Sequence, residues 1–194
     1  MSKISDLVFA SANPNKVAEV AAKLGGIPLK GLKDIDCTED IPETAQTLEG
    51  NAAMKARYIW EKYQVNCFAD DTGLEIEALG GEPGVFSARY AGSDRNESNN
   101  RALVLQKMQS ELNRNARFRT VICLILEGKE YYFEGIVKGK IERYERGSGG
   151  FGYDALFTPE GNSRTFAQMS LEEKGILSHR GLAIEKLKFF LNTH

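Results

Sequence analysis

The sequence is poor in the residues that build metal and redox centres. Its 194 residues include three cysteines and two histidines. Cys37, Cys67 and Cys123 are widely spaced and form no CxxC pair, so we expect them to be reduced, partly buried apolar residues. His179 and His194 are too few for a zinc site of ordinary composition.

The chain also lacks long apolar runs and a strong net charge. No run approaches the roughly 18 residues of a membrane span, and residues 1–6 contain no signal-peptide apolar core. We therefore expect a cytoplasmic protein. A net charge of −2 gives no global basic field, which argues against binding along a nucleic-acid backbone, so any anion must be bound locally.

The most informative stretch is Phe68-Ala69-Asp70-Asp71-Thr72-Gly73, where an apolar run typical of a buried strand stops on two adjacent carboxylates. Successive strand residues point to opposite faces, so both carboxylates face one ligand only if the strand ends or bulges between them. Such a pair suits a hard cation such as Mg²⁺, which takes one or two carboxylates plus substrate phosphates. The alternative is a simple turn, because Asp and Gly are common turn residues.

A second candidate site lies near the N-terminus. Residues 6–11 predict a strand that leads into a polar turn, in which Asn13 is a good helix N-cap and Pro14 a favoured first helical residue. Free backbone N–H groups, the positive end of a helix dipole and Lys16 together suit a phosphate chain. The alternative is a plain strand-to-helix connection with a surface lysine.

The rest of the pattern alternates helix and strand. Residues 29–49 predict an acidic loop, a helix is expected from Asn51, and strands are expected over 65–69 and 74–79. A helix over 98–112 is followed by a β-hairpin of residues 118–126 and 131–141, and then by C-terminal helices. No repeat or linker is present. We therefore predict one α/β domain over residues 1–194, built on a mixed sheet.

The glycine-rich segment 147–154 predicts a binding loop. Glycines let the backbone approach a ligand or adopt a positive φ, and Phe151 and Tyr153 suggest a slot in which a flat base stacks. No Gly-Lys-Ser/Thr follows, so this is not a Walker A loop. The alternative is a mobile loop.

Nitrogen donors are concentrated near the C-terminus. Ser170 and Glu173 have the spacing of a capping box, and Lys174, His179 and Arg180 follow at predicted helix starts. Three such donors suit recognition of a ring carbonyl or a phosphate, and Arg in particular offers a rigid fork of donors.

Six motifs in order resemble those of the inosine triphosphate pyrophosphatase family, whose members remove the deaminated purine nucleotides ITP, dITP and XTP. The motifs are Ser11-Ala12-Asn13-Pro14-Asn15-Lys16, Asn51 with Lys55-Ala56-Arg57, Ala69-Asp70-Asp71-Thr72-Gly73-Leu74, Ser87-Ala88-Arg89-Tyr90, Gly150-Phe151-Gly152-Tyr153-Asp154 and Ser178-His179-Arg180-Gly181. The resemblance runs from about residue 7 to residue 190, and six ordered motifs are more specific than any one alone.

The resemblance implies a role for each matching position. Asp71 would be the general base that orients water, and Glu43 and Asp71 would hold Mg²⁺, with Lys55 as a further catalytic group. The triphosphate would be bound by Ser11, Ala12, Asn13, Pro14, Asn15 and Lys16, and Thr72 would be a further substrate contact. The base would be surrounded by Phe151, Gly152, Tyr153 and Asp154. The purine would be recognised by Lys174, His179 and Arg180.

The resemblance also implies a homodimer with an elongated mixed sheet flanked by helices. Three positions depart from the family pattern: Thr72 stands where Ser is common, Gly50 where an acidic residue is common, and Gln168 where Glu is common. Thr72 keeps the hydroxyl. Gly50 and Gln168 each drop a charge, which bears on the surroundings of the metal and of the base.

The expected reaction is hydrolysis of the bond between the α and β phosphates, with Mg²⁺, Lys16 and Lys55 neutralising charge. An Arg180 donor facing position 6 would donate a hydrogen bond to the carbonyl of hypoxanthine or xanthine and would disfavour adenine, whose amino group is also a donor. Two other classes stay open. One is a regulator that binds a nucleotide without hydrolysing it. The other is an Asp-dependent phosphatase, although Asp70-Asp71 lacks the Asp-x-Asp spacing of such enzymes.

Overall fold

The computed structural model describes residues 7–193, which form seven strands and five α-helices. The strands are β1 (Leu7–Phe9), β2 (Leu29–Lys30), β3 (Cys67–Ile76), β4 (Pro83–Gly84), β5 (Asn115–Leu126), β6 (Lys129–Ile141) and β7 (Phe157–Pro159). The helices are α1 (Pro14–Leu24), α2 (Leu48–Tyr63), α3 (Glu97–Lys107), α4 (Leu171–Leu177) and α5 (His179–Thr193). Asp6, predicted as part of the first strand, and the other residues of the N-terminal stretch 1–6 lie outside the described residues, as does His194.

The sheet is mixed, in the order β2-β1-β3-β5-β6-β7, with β4 paired to β3. Strand β1 runs parallel to β2 and β3, whereas β3 with β4 and β6 with β7 are antiparallel. The predicted α/β class with a mixed sheet is confirmed. The single domain over residues 1–194 stays a prediction.

By their contacts, the described residues divide into two compact units. The first unit comprises residues 7–71, 120–135 and 180–193. Its core takes strand residues from β1, β3 and β5 and apolar faces from α1 and α5; the buried members are Leu7, Phe9, Val20, Leu24, Phe68, Ile122, Leu124, Ala183, Ile184, Leu187 and Leu191. The rings of Phe9 and Phe68 stack with centroids 4.8 Å apart. This core fixes the β1-to-α1 junction and the start of α5.

The second unit comprises residues 72–119 and 136–179. Its core is rich in aromatic side chains, and its buried members are Leu74, Ile76, Val104, Met108, Ala116, Phe118, Ile141, Tyr153, Leu156, Phe157, Phe166 and Met169. Phe118 meets Phe157 edge to face with centroids 4.8 Å apart, an arrangement that aromatic rings favour. This core supports the glycine-rich segment 147–154.

Strand β3 differs from the prediction, because it continues through Asp70 and Asp71 to Ile76. The extension is stabilised where Leu74 pairs with Gly84 of β4. A Cβ on Gly73 would lie 2.6 Å from the carbonyl oxygen of Gly84, so the close approach of these strands requires glycine. The predicted separate strand over 74–79 is therefore wrong.

Other differences concern element ends. The acidic loop predicted over 29–49 contains the edge strand β2, which pairs with β1. Helix α3 ends at Lys107, well before residue 112, and Leu112 is 87% exposed and outside the helix. Helix α2 begins at Leu48, three residues before Asn51, because Thr47 provides the N-cap.

The hairpin between β5 and β6 is present as predicted. Its connecting residues Glu127 and Gly128 both have positive φ angles, 51° and 79°, as expected for the two-residue turn that matches strand twist. The three cysteines are buried and free of disulfides. Between residues 7 and 193, no helix combines the length and the apolar character needed to cross a bilayer.

Candidate functional site

The turn between β1 and α1 is built as the sequence predicts. The Oδ1 atom of Asn13 accepts hydrogen bonds from the backbone N–H groups of Asn15 and Lys16, at 2.9 and 3.3 Å. Pro14 occupies the first helical position, where its missing N–H is of no consequence. Ser11 Oγ accepts from the N–H of Asn13 at 3.3 Å, and Ala12 is exposed in the same turn. The cap holds Lys16 at the positive end of the helix dipole.

Asp70 is the centre of a buried charge network in the first unit. Lys16 Nζ lies 3.1 Å from its Oδ1 atom, and Arg180 Nε lies 3.0 Å from its Oδ2 atom. Arg180, which is 1% exposed, also donates through Nη1 to Glu19. Burial by itself would raise the pKa of Asp70, but the charges of Lys16, Arg180 and Lys55 outweigh it and hold that pKa well below the ordinary carboxyl range. Asp70 is therefore ionised and serves as an anchor for cations.

Lys55 links this network to the next carboxylates. Its ammonium donates to the backbone carbonyl of Asp70 at 2.7 Å and to the carboxylate of Glu43. Burial lowers the pKa of Lys55, but the negative charges of Asp71, Glu43 and Asp70 reverse the effect, so that this pKa is raised. Lys55 therefore stays positively charged although it is buried.

Asp71 has a different environment from Asp70. Its Oδ2 atom accepts a hydrogen bond from Asn51 Nδ2 at 3.0 Å. Burial raises the pKa of Asp71, and the nearby positive charges of Lys55 and Lys16 only partly offset it. A carboxylate with a raised pKa and a fixed orientation has the properties of a general base.

The strand geometry explains why the two carboxylates differ. Phe9 at the end of β1 pairs with Phe68, so Asp70 and Asp71 lie on β3 beyond the carboxyl end of β1. Because β3 continues, neighbouring side chains point to opposite faces, and Asp70 and Asp71 contact different partners. The division into one working and one supporting carboxylate stays a prediction.

Two residues of the first unit were not among the predicted site residues. Asn51 orients Asp71, and its Oδ1 atom accepts from the N–H of Ala45 at 2.9 Å. Glu19 holds Arg180 from helix α1. The signal for Asn51 was its spacing of four residues before Lys55, which places both on one face of α2. No local signal linked Glu19 with Arg180.

Glu43 and Asp71 are the predicted oxygen donors for a divalent cation, and this role stays a prediction. The negative charge of Glu43 contributes to the raised pKa of Asp71, so the two carboxylates are near enough to interact. Over residues 7–193 there is no cluster of three or more His, Cys, Asp or Glu side chains that could hold a metal ion. Carboxylate oxygens are the kind of donor that a hard cation such as Mg²⁺ takes, with phosphate and water completing its shell.

In the second unit, the glycine-rich loop carries an ion pair beneath an aromatic ring. Asp154 Oδ2 accepts from the backbone N–H of Phe151 at 2.9 Å and also from Lys174. Lys174 Nζ lies 4.7 Å from the centroid of the Phe151 ring, within range of a cation–π interaction. Gly150 has φ +68°, and a Cβ there would lie 2.2 Å from Asp154 Oδ2. The loop conformation therefore requires glycine at this position.

Tyr153 anchors the same loop from inside. It is buried, and its hydroxyl donates to the backbone carbonyl of Ser87 at 2.8 Å. Burial raises the pKa of Tyr153, which keeps the hydroxyl protonated as a donor. Direct contact of Tyr153 with a ligand stays a prediction, as does that of Gly152.

The predicted group of nitrogen donors is divided in the structure. Lys174 and His179 belong to the second unit, where the His179 ring stacks on Phe118 with centroids 4.5 Å apart. Arg180 belongs to the first unit and pairs with carboxylates. Thr72 is half-buried on β3. The roles of these residues toward a base or substrate stay predictions.

The comparisons with known proteins agree on one family. A model of the Ham1 family matches residues 7–190. The chain is 55% identical over 188 residues to a dITP/XTP pyrophosphatase of Flavobacterium psychrophilum, covering 96% of this chain and 99% of that protein. It is 50% identical over 187 residues to a dITP/XTP pyrophosphatase of Porphyromonas gingivalis, covering 95% and 96%.

Solved structures give the same result. The Ham1 protein of Staphylococcus aureus matches with a TM-score of 0.88 and 35% identity, covering 97% of this chain and 98% of that one. A HAM1 protein from Coxiella burnetii matches with a TM-score of 0.89 and 35% identity, covering 97% and 99%. The family resemblance seen in the six motifs is confirmed, and the chain belongs to the Ham1 family.

Proposed function

We propose that this protein hydrolyses the deaminated purine nucleoside triphosphates ITP, dITP and XTP to the monophosphate and pyrophosphate, and so clears them from the nucleotide pool. The observation that carries the proposal is the arrangement in which Lys16 and Lys55 are both held by Asp70, with Glu43 and Asp71 beside Lys55. The names of the relatives, dITP/XTP pyrophosphatase, support the same reaction.

The cations of the first unit would bind the triphosphate. Lys16, at the positive end of α1, and Lys55 are held in place by carboxylates and by the backbone of Asp70. A phosphate chain brings negative charge to these ammonium groups, and preorganised cations stabilise the charge that develops as the phosphoanhydride breaks. Asp70 would act by fixing the cations.

Asp71 would activate the attacking water. The bond between the α and β phosphates breaks, water supplies the new oxygen, and Asp71 takes a proton from that water. Asn51 keeps the carboxylate oriented.

Magnesium is part of the proposal. Glu43 and Asp71 would hold Mg²⁺, and the bound ion would neutralise phosphate charge and orient the leaving pyrophosphate. The negative charges of Glu43 and Asp71 both raise the pKa of Lys55. The positive charge of Lys55 in turn reduces the electrostatic repulsion between the two carboxylates.

The base would be held in the second unit. Phe151 offers a face for stacking, and Lys174 offers a buried ammonium beside that ring. Hydrogen-bond donors in the protein favour the 6-carbonyl of hypoxanthine and xanthine, which is an acceptor. The 6-amino group of adenine is itself a donor, so it would leave the protein donor unpaired. Guanine shares the 6-carbonyl, so GTP would be rejected by crowding or by missing acceptors near position 2.

A nucleotide panel tests the proposal. Purified protein is incubated with ITP, dITP, XTP, GTP or ATP, with and without Mg²⁺, and pyrophosphate, orthophosphate and nucleoside monophosphate are measured. We expect pyrophosphate and monophosphate in equal amounts from the first three substrates, only with Mg²⁺. Orthophosphate as the product would indicate a phosphatase, binding without turnover would indicate a regulator, and equal turnover of ATP and ITP would contradict the base preference.

We further propose that the protein is a homodimer in the cytoplasm, as the family resemblance implies. Sedimentation equilibrium and cell fractionation test these two statements directly. A monomeric mass across the concentration range would contradict the first, and recovery outside the cytoplasmic fraction would contradict the second.

A further inference from the structure

Two side chains of helix α3 bind the backbone of one residue of the glycine-rich loop, Gly152. The N–H of Gly152 donates to Glu97 Oε2 at 2.8 Å, and the carbonyl of Gly152 accepts from Arg101 Nη1 at 2.9 Å. Hydrogen bonds to ionised groups are stronger than bonds between neutral groups. Gly152 has φ +61°, a conformation that a free glycine leaves easily. Without side-chain partners, this segment would sample several conformations.

The two clamping residues are themselves well placed. Glu97 and Arg101 are four residues apart on α3, with Arg101 Nη1 3.9 Å from Glu97 Oε2. Arg101 Nε also lies 3.0 Å from Glu145 Oε2. Glu97 is the first residue of the helix after the N-cap Asn96, where a negative charge is favoured by the helix dipole.

The helix that carries the clamp is fixed to the second unit. The buried Asn100, between the two clamping residues, accepts from the N–H of Ala91 at 2.7 Å and donates to the carbonyl of Ala88 at 3.1 Å. Val104 and Met108 pack in the core of the unit. The clamp is therefore mounted on a rigid support and can impose its geometry on the loop.

The clamped residue, Gly152, directly follows Phe151, the residue expected to stack on the base. The N–H of Phe151 is fixed by Asp154, and the following residue is fixed by Glu97 and Arg101. We infer that Glu97 and Arg101 are positioning residues that hold Phe151 in the orientation required for stacking, and so set the affinity for the nucleobase. This inference rests on the proposed function, because it assumes that Phe151 contacts a purine.

The test separates base binding from phosphate binding. Arg101→Ala and Glu97→Ala each remove half of the clamp, and Arg101→Lys keeps a cationic donor. The control is Lys107→Ala, a change on the same helix that removes only an exposed ion pair with Glu82. Dissociation constants are measured by calorimetry for inosine, which has a base but no phosphate, and for inorganic pyrophosphate. Turnover of ITP and thermal unfolding are measured in parallel.

We expect both alanine variants to weaken inosine binding by about tenfold, the change that ~1.4 kcal/mol of binding free energy produces. KM for ITP should rise to the same extent, while kcat and the affinity for pyrophosphate stay at wild-type values. Arg101→Lys should recover part of the inosine affinity, and Lys107→Ala should equal wild type. If Glu97 and Arg101 had a purely structural role, the variants would instead lose affinity for inosine and for pyrophosphate together.

Failure of the inference and failure of the proposed function give different results. The positioning role of Glu97 and Arg101 would be overturned if folded Arg101→Ala and Glu97→Ala bound inosine with wild-type affinity. It would also be overturned if these variants lost affinity for pyrophosphate to the same extent as for inosine, or if the wild-type protein did not bind inosine. If the wild-type protein binds inosine but releases no pyrophosphate from ITP, the proposed function fails. The inosine constants of the variants would then still support the clamp.

Discussion

The charge network around Asp70 and the loop around Phe151 are stabilised in different ways. Asp70 gathers Lys16, Lys55 and Arg180 through its carboxylate and its backbone carbonyl, and these groups are buried or nearly so. The loop around Phe151 depends on glycines and on hydrogen bonds from its backbone to a few side chains. The comparison indicates that the network around Asp70 is held by ion pairs among its side chains, whereas the loop around Phe151 is shaped by hydrogen bonds to its backbone.

Replacing Asp71, the proposed general base, gives the largest expected effect. Asp71→Asn keeps the shape of the side chain and a hydrogen-bonding oxygen for Asn51, but it removes the charge that accepts a proton. We expect kcat for ITP to fall by about 10²–10⁴-fold, with unchanged thermal unfolding. The measurement is pyrophosphate release, with the exposed Asp40→Asn as the matched control. Near-normal turnover would exclude Asp71 as the base.

Removing the anchor of the network should reduce stability. Asp70→Asn leaves the buried cations of Arg180 and Lys16 without their shared carboxylate, and breaking a buried ion pair in this way costs about 3–5 kcal/mol. The free energy of unfolding is measured by urea titration. If Asp70→Asn were as stable as Asp71→Asn, the anchoring role would be wrong.

The pH dependence of the stability of Asp70→Asn, relative to wild type, tests the ionisation state of Asp70. The pKa of Asp70 is lowered in the folded protein, so its contribution to stability is present above the ordinary aspartate pKa of 3.8 and is lost as the pH falls below it. The stability difference between wild type and Asp70→Asn should therefore shrink on acidification. A difference that grows with acid would contradict the assigned ionisation.

Truncating the aromatic residue of the loop should affect binding more than chemistry. Phe151→Ala removes a stacking surface worth about 1–3 kcal/mol per base, so KM for ITP should rise by about 5-fold to about 140-fold while kcat changes little. Phe189→Ala, which truncates a phenylalanine that is 73% exposed, is the control. A fall in kcat with unchanged KM would place Phe151 in the chemical step instead.

The smallest expected effect concerns the cap of α4, the helix that carries Lys174. Ser170 Oγ accepts from the N–H of Glu173, and Glu173 accepts from the N–H of Ser170. Ser170→Ala should reduce the free energy of unfolding by about 1 kcal/mol, and Ser170→Asp, which keeps an acceptor, should retain most of it. Equal stability of wild type and Ser170→Ala would show that the cap adds nothing here.

Features with a local cause could be predicted from the sequence. The Asn13 cap, the capping box at Ser170 and the hairpin turn at Gly128 follow from residue types at fixed short spacings. The edge strand β2 and the unbroken strand β3 could not be predicted, because both depend on pairing with strands elsewhere in the chain.

The site shows the same limit. Motif order predicted functional roles for Lys16, Lys55 and Asp71, and these roles stay predictions. The pairing of Arg180 with Asp70 and Glu19 joins residues 110 and 161 positions apart, and no local spacing predicts such a contact. Contacts between buried ionisable groups that are distant in the sequence become visible only in the folded structure.

The most direct measurement is the affinity of Asp71→Asn for inosine. If the charges of the first unit perform the chemistry and the loop of the second unit holds the base, this variant will bind inosine with the wild-type dissociation constant although its turnover of ITP is largely lost. An inosine affinity that falls in parallel with turnover would contradict the account.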